Sequence, residues 1–143
     1  DAFDLRIIEA LRADGRLPVT ALADQVGLSK TPCQNRLRRL VEQGYITGFT
    51  ASVDHARLNR AHVAFVEIKL SNTSEEALSA FNTAVRQVPE IEQCHMIAGS
   101  FDFLLKVRTQ SITAYRKVLG SAVSTLPFVA STSTHVSMET VKE

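Results

Sequence analysis

Two short stretches, "VPEI" at 88–91 and "LPFV" at 126–129, hold equivalent places 38 positions apart. Each closes an amphipathic segment and opens an alternating one, so the chain carries a β-α-β pattern twice. In the first copy, "HVAFVEIKL" (62–70) alternates with period two. Ala64, Val66, Ile68 and Leu70 fall on one side of a strand, and Phe65, Glu67 and Lys69 on the other. "TSEE" at 73–76 has the form of a capping box from Thr73 to Glu76. The helix it opens turns Leu78, Phe81, Val85 and Val88 inward, and a strand follows from Ile91 to about Ala98. "GSFD" at 99–102 reads as a hairpin turn, with Gly99 supplying a positive φ and Ser100 and Asp102 stabilising the bend. In the second copy, "FLLKVR" (103–108) is the strand. The helix spans about 112–126 with Tyr115, Val118, Leu119, Ala122 and Leu126 inward, and a last strand runs to about Met138. Two such units predict a split βαβ, ferredoxin-like sheet with both helices on one face. The other face, carrying Phe65 and Leu104, has no helix to cover it. Such a face is expected to bury itself against a second copy in a two-fold dimer.

The first 53 residues read differently. Asp4 is placed to cap a helix to about Ala13 in which Leu5, Ile8 and Leu11 recur at a spacing of three. "DGR" at 14–16 breaks it. Pro18 and Thr20 start a second helix, Thr20 as N-cap, with Leu22, Ala23 and Val26 inward, and Gly27 suits its end. Ser29 is placed to cap a third helix with Pro32 in its first turn, running to about Gln43 and stopping at Gly44. "YITGFTASV" (45–53) reads as a strand, and residues 53–62 as a linker. On the third helix Cys33, Leu37, Leu40 and Val41 share one side. The opposite side presents Thr31, Asn35, Arg38 and Arg39, flanked by Gln34 and Arg36, residue types that bond base edges and phosphates. A solvated surface face is the competing reading of these cations. Two features favour nucleic acid: the order helix, glycine turn, serine cap, basic helix, and the absence of any acid between Asp24 and Glu42.

Bulk charge gives no help. Residues 1–60 hold nine Lys/Arg against seven Asp/Glu, and residues 61–143 hold seven against eight. DNA binding by a chain of net charge +1 has to come from a local patch, present in more than one copy. No apolar run reaches the roughly 18 residues of a membrane span, and no signal peptide is expected. Cys33 and Cys94 lie far apart without a C-x-x-C, which suits a reducing cytoplasm. His55, His62, His95 and His135 form no close-spaced ligand set, so no metal site is expected. Neither a nucleophile–base motif nor a phosphate loop appears, so no enzyme and no cofactor is expected.

The stretch "LSKTPCQNRLRRLVEQGYITGFTA" closely resembles the recognition helix and following strand of the Lrp/AsnC family, the leucine-responsive regulators of bacteria and archaea. The likeness continues through "FVEIKL", "FNTAV", "QCHMIAGSFDFLLK", "AYRKVLG" and "VSMETVKE", and so covers nearly the whole chain. It implies an α+β protein: a winged-type helix-turn-helix domain at 1–52 followed by a ferredoxin-like βαββαβ (RAM-type) domain at 63–143. By resemblance, the second domain dimerises, assembles further into tetramers or octamers, and binds an amino-acid effector at its interfaces. Gly99 and Asp102 match the family's G-x-x-D turn, which works with the last strand.

The expectation is a sequence-specific DNA-binding regulator whose oligomeric state or DNA affinity responds to a small amino acid, controlling amino-acid metabolism genes. The expected contacts to double-stranded DNA are Ser29, Lys30, Thr31, Gln34, Asn35, Arg36, Arg38 and Arg39. The expected effector contacts are Met96, Gly99, Ser100, Asp102, Thr134, His135 and Val136, with leucine, methionine or proline as ligand. His135 departs from the aromatic hydroxyl residue that leucine-responsive members carry there. The expected location is the cytoplasm, at the nucleoid. The rival readings are an effector-independent architectural DNA-binding protein and a regulatory subunit of an amino-acid-metabolising enzyme.

Overall fold

A computed structural model describes residues 1–143, which divide into two compact units, Asp1–Val53 and Asp54–Glu143. The first unit holds helices α1 (Ala2–Ala13), α2 (Val19–Val26) and α3 (Lys30–Glu42). Asp1, not Asp4, caps α1, its carboxylate accepting the Asp4 N–H at 2.9 Å. Ile7 and Leu11 are the buried residues of α1, while Leu5 is 64% exposed. A spacing of three drifts backward by about 60° per step, so Leu5 falls off the face that Ile7 and Leu11, four apart, share. Pro18 rather than Thr20 stands at the N-cap of α2, without a side-chain bond. Gly27 ends α2 at φ 81°, the left-handed conformation that glycine adopts without a Cβ clash. Ile7, Leu11, Leu22, Ala23, Val26, Cys33 and Leu40 form one core. Val41, placed inward by the helical reading, is exposed.

The segment 45–53 forms no strand, and its large apolar side chains Tyr45, Phe49 and Val53 are exposed. The sequence alternates as a strand should, but the unit contains no second strand to pair with it. A strand is a property of two segments, not one. Together with the C-terminal end of α1, the segment bounds an open cleft of about 630 Å³.

The second unit begins with a turn: Asp54 accepts the N–H groups of Ala56 and Arg57, so part of the expected linker is locally ordered. The sheet contains β1 (His62–Leu70), β2 (Ile91–Met96), β3 (Phe103–Thr109) and β4 (Val129–Val136). Its order is β2-β3-β1-β4 with all neighbours antiparallel. Helices α4 (Glu75–Val85) and α5 (Ile112–Val118) join one core with one sheet face. Ala64, Val66, Ile68, Leu105 and Val107 are buried there, and the ring of Phe81 stacks on Phe103 at 4.3 Å. Ser74 rather than Thr73 caps α4, accepting the Ala77 N–H.

The expected helix 112–126 is interrupted. After α5 the chain makes a π-helical turn, Leu119–Val123, in which the Ser124 N–H bonds the Leu119 carbonyl. The wider turn absorbs one residue, so Tyr115 and Val123, eight apart, are both buried. Regular periodicity selects Ala122 instead, which is half-buried.

The second sheet face carries Phe65 and Leu104, both half-buried, but it is more charged than the alternation suggests. Arg108, 4% exposed, donates to Glu92 at 2.8 Å and to the Arg60 carbonyl at 3.1 Å. Lys106 bonds Glu143 at 2.6 Å, and the carboxyl of Glu143 is pulled below its ordinary pKa, mainly by that hydrogen bond and the charge of Lys106. Across the strands, His135 contacts Glu67. No helix is long and apolar enough to cross a membrane.

Candidate nucleic-acid interface and effector turn

The face of α3 opposite its buried residues is polar. Ser29, Lys30, Thr31, Gln34, Asn35, Arg38 and Arg39 are all exposed. Arg38 Nη2 donates to Asn35 Oδ1 at 3.1 Å, which leaves the Asn35 amide NH2 turned to solvent. Ser29 stands at the N-cap but makes no cap bond, so its hydroxyl is free. Hydroxyls and amides occupy the N-terminal turns of α3, and the guanidinium groups follow. Such a surface can donate to base edges and neutralise phosphates at once.

Arg36 does not belong to this surface. It lies about 60° around the helix from buried Cys33 and is half-buried. Its Nη1 bonds Asp1 at 2.6 Å and Asp4 at 3.2 Å. The periodicity put Arg36 on the flank; no local signal could reveal two acids about thirty positions away.

In the second unit, Asp102 ties three strands together. Its carbonyl accepts the Ile97 N–H at 2.8 Å, closing the β2–β3 connection. Its N–H donates to the Ile68 carbonyl at 2.8 Å, and its carboxylate accepts the Leu70 N–H at 2.7 Å, so the turn is fixed to the end of β1. Gly99 does not supply a positive φ; among glycines only Gly27 and Gly44 do. A Cβ at Gly99 would meet Ile97 at 3.6 Å, an ordinary contact. Gly99 and Ser100 are exposed.

The expected effector residues are not gathered within one chain. Val136 pairs with Ala64 and Thr134 with Val66, whereas Asp102 sits at Leu70. Four to six residues of strand separate them, about 13–20 Å. The segment is also split between faces. Thr134 lies on the helix side, where its hydroxyl meets the Tyr115 phenol, while His135 lies on the open side with Glu67. Met96 pairs with Phe103 on the helix side yet is exposed at the sheet edge.

One neighbour of the turn escaped the sequence reading. Phe128 adopts φ 64°, unusual for a bulky residue, and its carbonyl accepts the Ser71 N–H at 2.7 Å, one residue beyond the Leu70 clamp. Nothing in "LPFV" signals a left-handed phenylalanine.

Known proteins share both units. Residues 1–47 match the winged helix-turn-helix DNA-binding family, and residues 63–143 match the Lrp/AsnC ligand binding domain. Over all 143 residues the chain is 59% identical to a proline dehydrogenase transcriptional activator from Rhizobium radiobacter, covering 92% of it. It is 44% identical to the leucine-responsive regulatory protein of Escherichia coli K12, covering 87% of that protein. A crystal structure of an AsnC family transcriptional regulator from Agrobacterium tumefaciens superposes with a TM-score of 0.94 at 31% identity, covering 100% of this chain and 93% of that one. An amino-terminal helix-turn-helix and a carboxy-terminal ligand-binding sheet, in this order and over this length, place the chain in the Lrp/AsnC family of DNA-binding transcriptional regulators.

Proposed function

We propose that this protein is a sequence-specific regulator of proline catabolism that senses proline or a similar small amino acid. The observation that carries the reading is the 59% identity, over the full chain, to a proline dehydrogenase transcriptional activator. Proline is thereby preferred over leucine and methionine. Residues 1–52 read double-stranded DNA through Ser29, Thr31, Gln34 and Asn35, with Lys30, Arg38 and Arg39 on phosphates. Residues 63–143 assemble the protein into dimers and larger even-numbered oligomers and bind the effector. Because Asp102 and the Thr134–Val136 segment stand apart in one chain, the effector is held between copies. Asp102 from one copy meets the ammonium, the free N–H groups of Gly99 and Ser100 meet the carboxylate, and the last strand of another copy closes the site. The protein works in the cytoplasm, at the nucleoid.

The test is binding to a duplex carrying the promoter of a proline dehydrogenase gene from the same genome, measured with and without proline. Millimolar proline is expected to change the affinity or the stoichiometry and to raise the melting temperature of the free protein. Equal affinity for promoter and random DNA overturns the proposed control of proline catabolism. An unchanged response to all free amino acids overturns the sensing reading and favours an architectural role, for which the Asp102–Leu70 bond is the specific support: it accounts for the carboxylate without a ligand.

A further inference from the structure

We infer that Arg36 is a positioning residue that aims the recognition helix, not a DNA contact. Of the four cations on α3, it is the one withdrawn from solvent. Its guanidinium reaches back to the first turn of α1, bonding Asp1 and Asp4 at 2.6 and 3.2 Å. The same group lies 5.4 Å from the centre of the Phe3 ring, and Arg6 lies 5.3 Å from that ring. Two guanidinium groups are thus within cation–π distance of one aromatic ring, and two carboxylates fix one of them in place.

Three physical consequences follow. Arg36 is already neutralised by two acids, so it has no charge to spend on displacing counterions from DNA. Two bonds to separate acids and a ring contact hold it far more firmly than one exposed ion pair would. Finally, the clamp joins the middle of α3 to the start of α1, adding a polar tie to the core contacts of Cys33 and Leu40. It fixes the rotation of α3 about its own axis, and that rotation decides whether Gln34 and Asn35 point at base edges. Arg36 therefore acts on discrimination between sequences, while Arg38 and Arg39 act on affinity for any duplex.

This inference rests on the reading of α3 as the DNA-recognition helix. Its test uses the full chain, a duplex enriched from a random library by the wild-type protein, and an unrelated duplex of equal length. The observables are the affinity for each and the slope of log affinity against log salt. Arg36→Ala is expected to weaken the enriched duplex about tenfold, the scale of one lost base contact. It is expected to leave both the unrelated duplex and the salt slope unchanged. Asp4→Asn gives an opposite sign for the two models. Removing an acid near DNA tightens binding if charge alone matters, whereas a broken clamp loosens the enriched duplex. Arg36 is a phosphate contact, and the inference fails, if Arg36→Ala lowers the slope by about one contact and weakens both duplexes equally. It fails equally if Asp4→Asn tightens binding. If the wild type enriches no sequence, it is the reading of α3 that fails, and the slope on unrelated DNA still decides whether Arg36 touches phosphate.

Discussion

The carboxylate of Asp102 accepts the backbone N–H of Leu70 at 2.7 Å. A residue of the β2–β3 connection therefore holds the end of β1, and the same side chain is the anion proposed to meet the effector. The two roles separate by substitution. Asp102→Asn keeps an acceptor for the Leu70 N–H, so its melting temperature should stay within a few degrees of wild type while the proline response disappears. Asp102→Ala leaves that N–H unpartnered and should cost about 1–2 kcal/mol in denaturant unfolding. An Asp102→Asn protein that still responds to proline removes the carboxylate from the site.

Arg38 and Arg39 are exposed at α3, and each should behave as one phosphate contact. Arg38→Ala and Arg39→Ala are expected to reduce the salt slope by about one unit each on every duplex. Asn35→Ala should instead cost roughly 1–3 kcal/mol on the enriched duplex alone. Anisotropy titrations across a range of salt concentrations distinguish the two patterns.

The phenol of Tyr115 meets the Thr134 hydroxyl inside the second core. Burial pushes its pKa up from the ordinary value, and the bond to Thr134 pulls it partly back. The fold therefore favours the neutral phenol. This contribution is complete below about pH 10 and is lost as the pH rises above that. Tyr115→Phe should cost about 1 kcal/mol at neutral pH and should flatten the loss of stability in alkali, as read from urea unfolding at several pH values.

Phe128 at φ 64° stands where glycine would sit without strain. Phe128→Gly should therefore raise the melting temperature slightly, since relief of a left-handed phenylalanine is worth about 1 kcal/mol. A lower melting temperature would mean that the packing of the ring, together with the greater unfolded-chain entropy of glycine, outweighs the backbone strain.

The doubled β-α-β pattern was readable because every strand of the second unit has its partner within the same 90 residues. Alternation then determines which side each residue faces, as it does along β1. Three features were not readable, each for a physical reason. The 45–53 segment has the composition of a strand and no partner in the chain. The π-helical turn shifts the helical phase by one residue, which moved burial from Ala122 to Val123. The pairs Arg36–Asp4 and Asp102–Leu70 join residues 32 positions apart in both cases, and no local pattern encodes such a meeting. The polar, exposed face of α3 was legible from helical periodicity apart from Arg36, which is half-buried. The expected effector residues came from resemblance and do not form one place, because one chain does not bring them together.

The unpartnered segment has a further consequence for how the protein survives in a cell. From Gly44 to Val53 the chain has no charged residue, and its aromatic side chains at Tyr45 and Phe49 are 70% and 54% exposed. A protease that cuts after aromatic residues needs an accessible, extended substrate of this kind. Cleavage there would sever α1, α2 and α3 from residues 54–143, which keep their own complete core. Limited proteolysis of the free protein should therefore cut first between Tyr45 and Val53, ahead of either core.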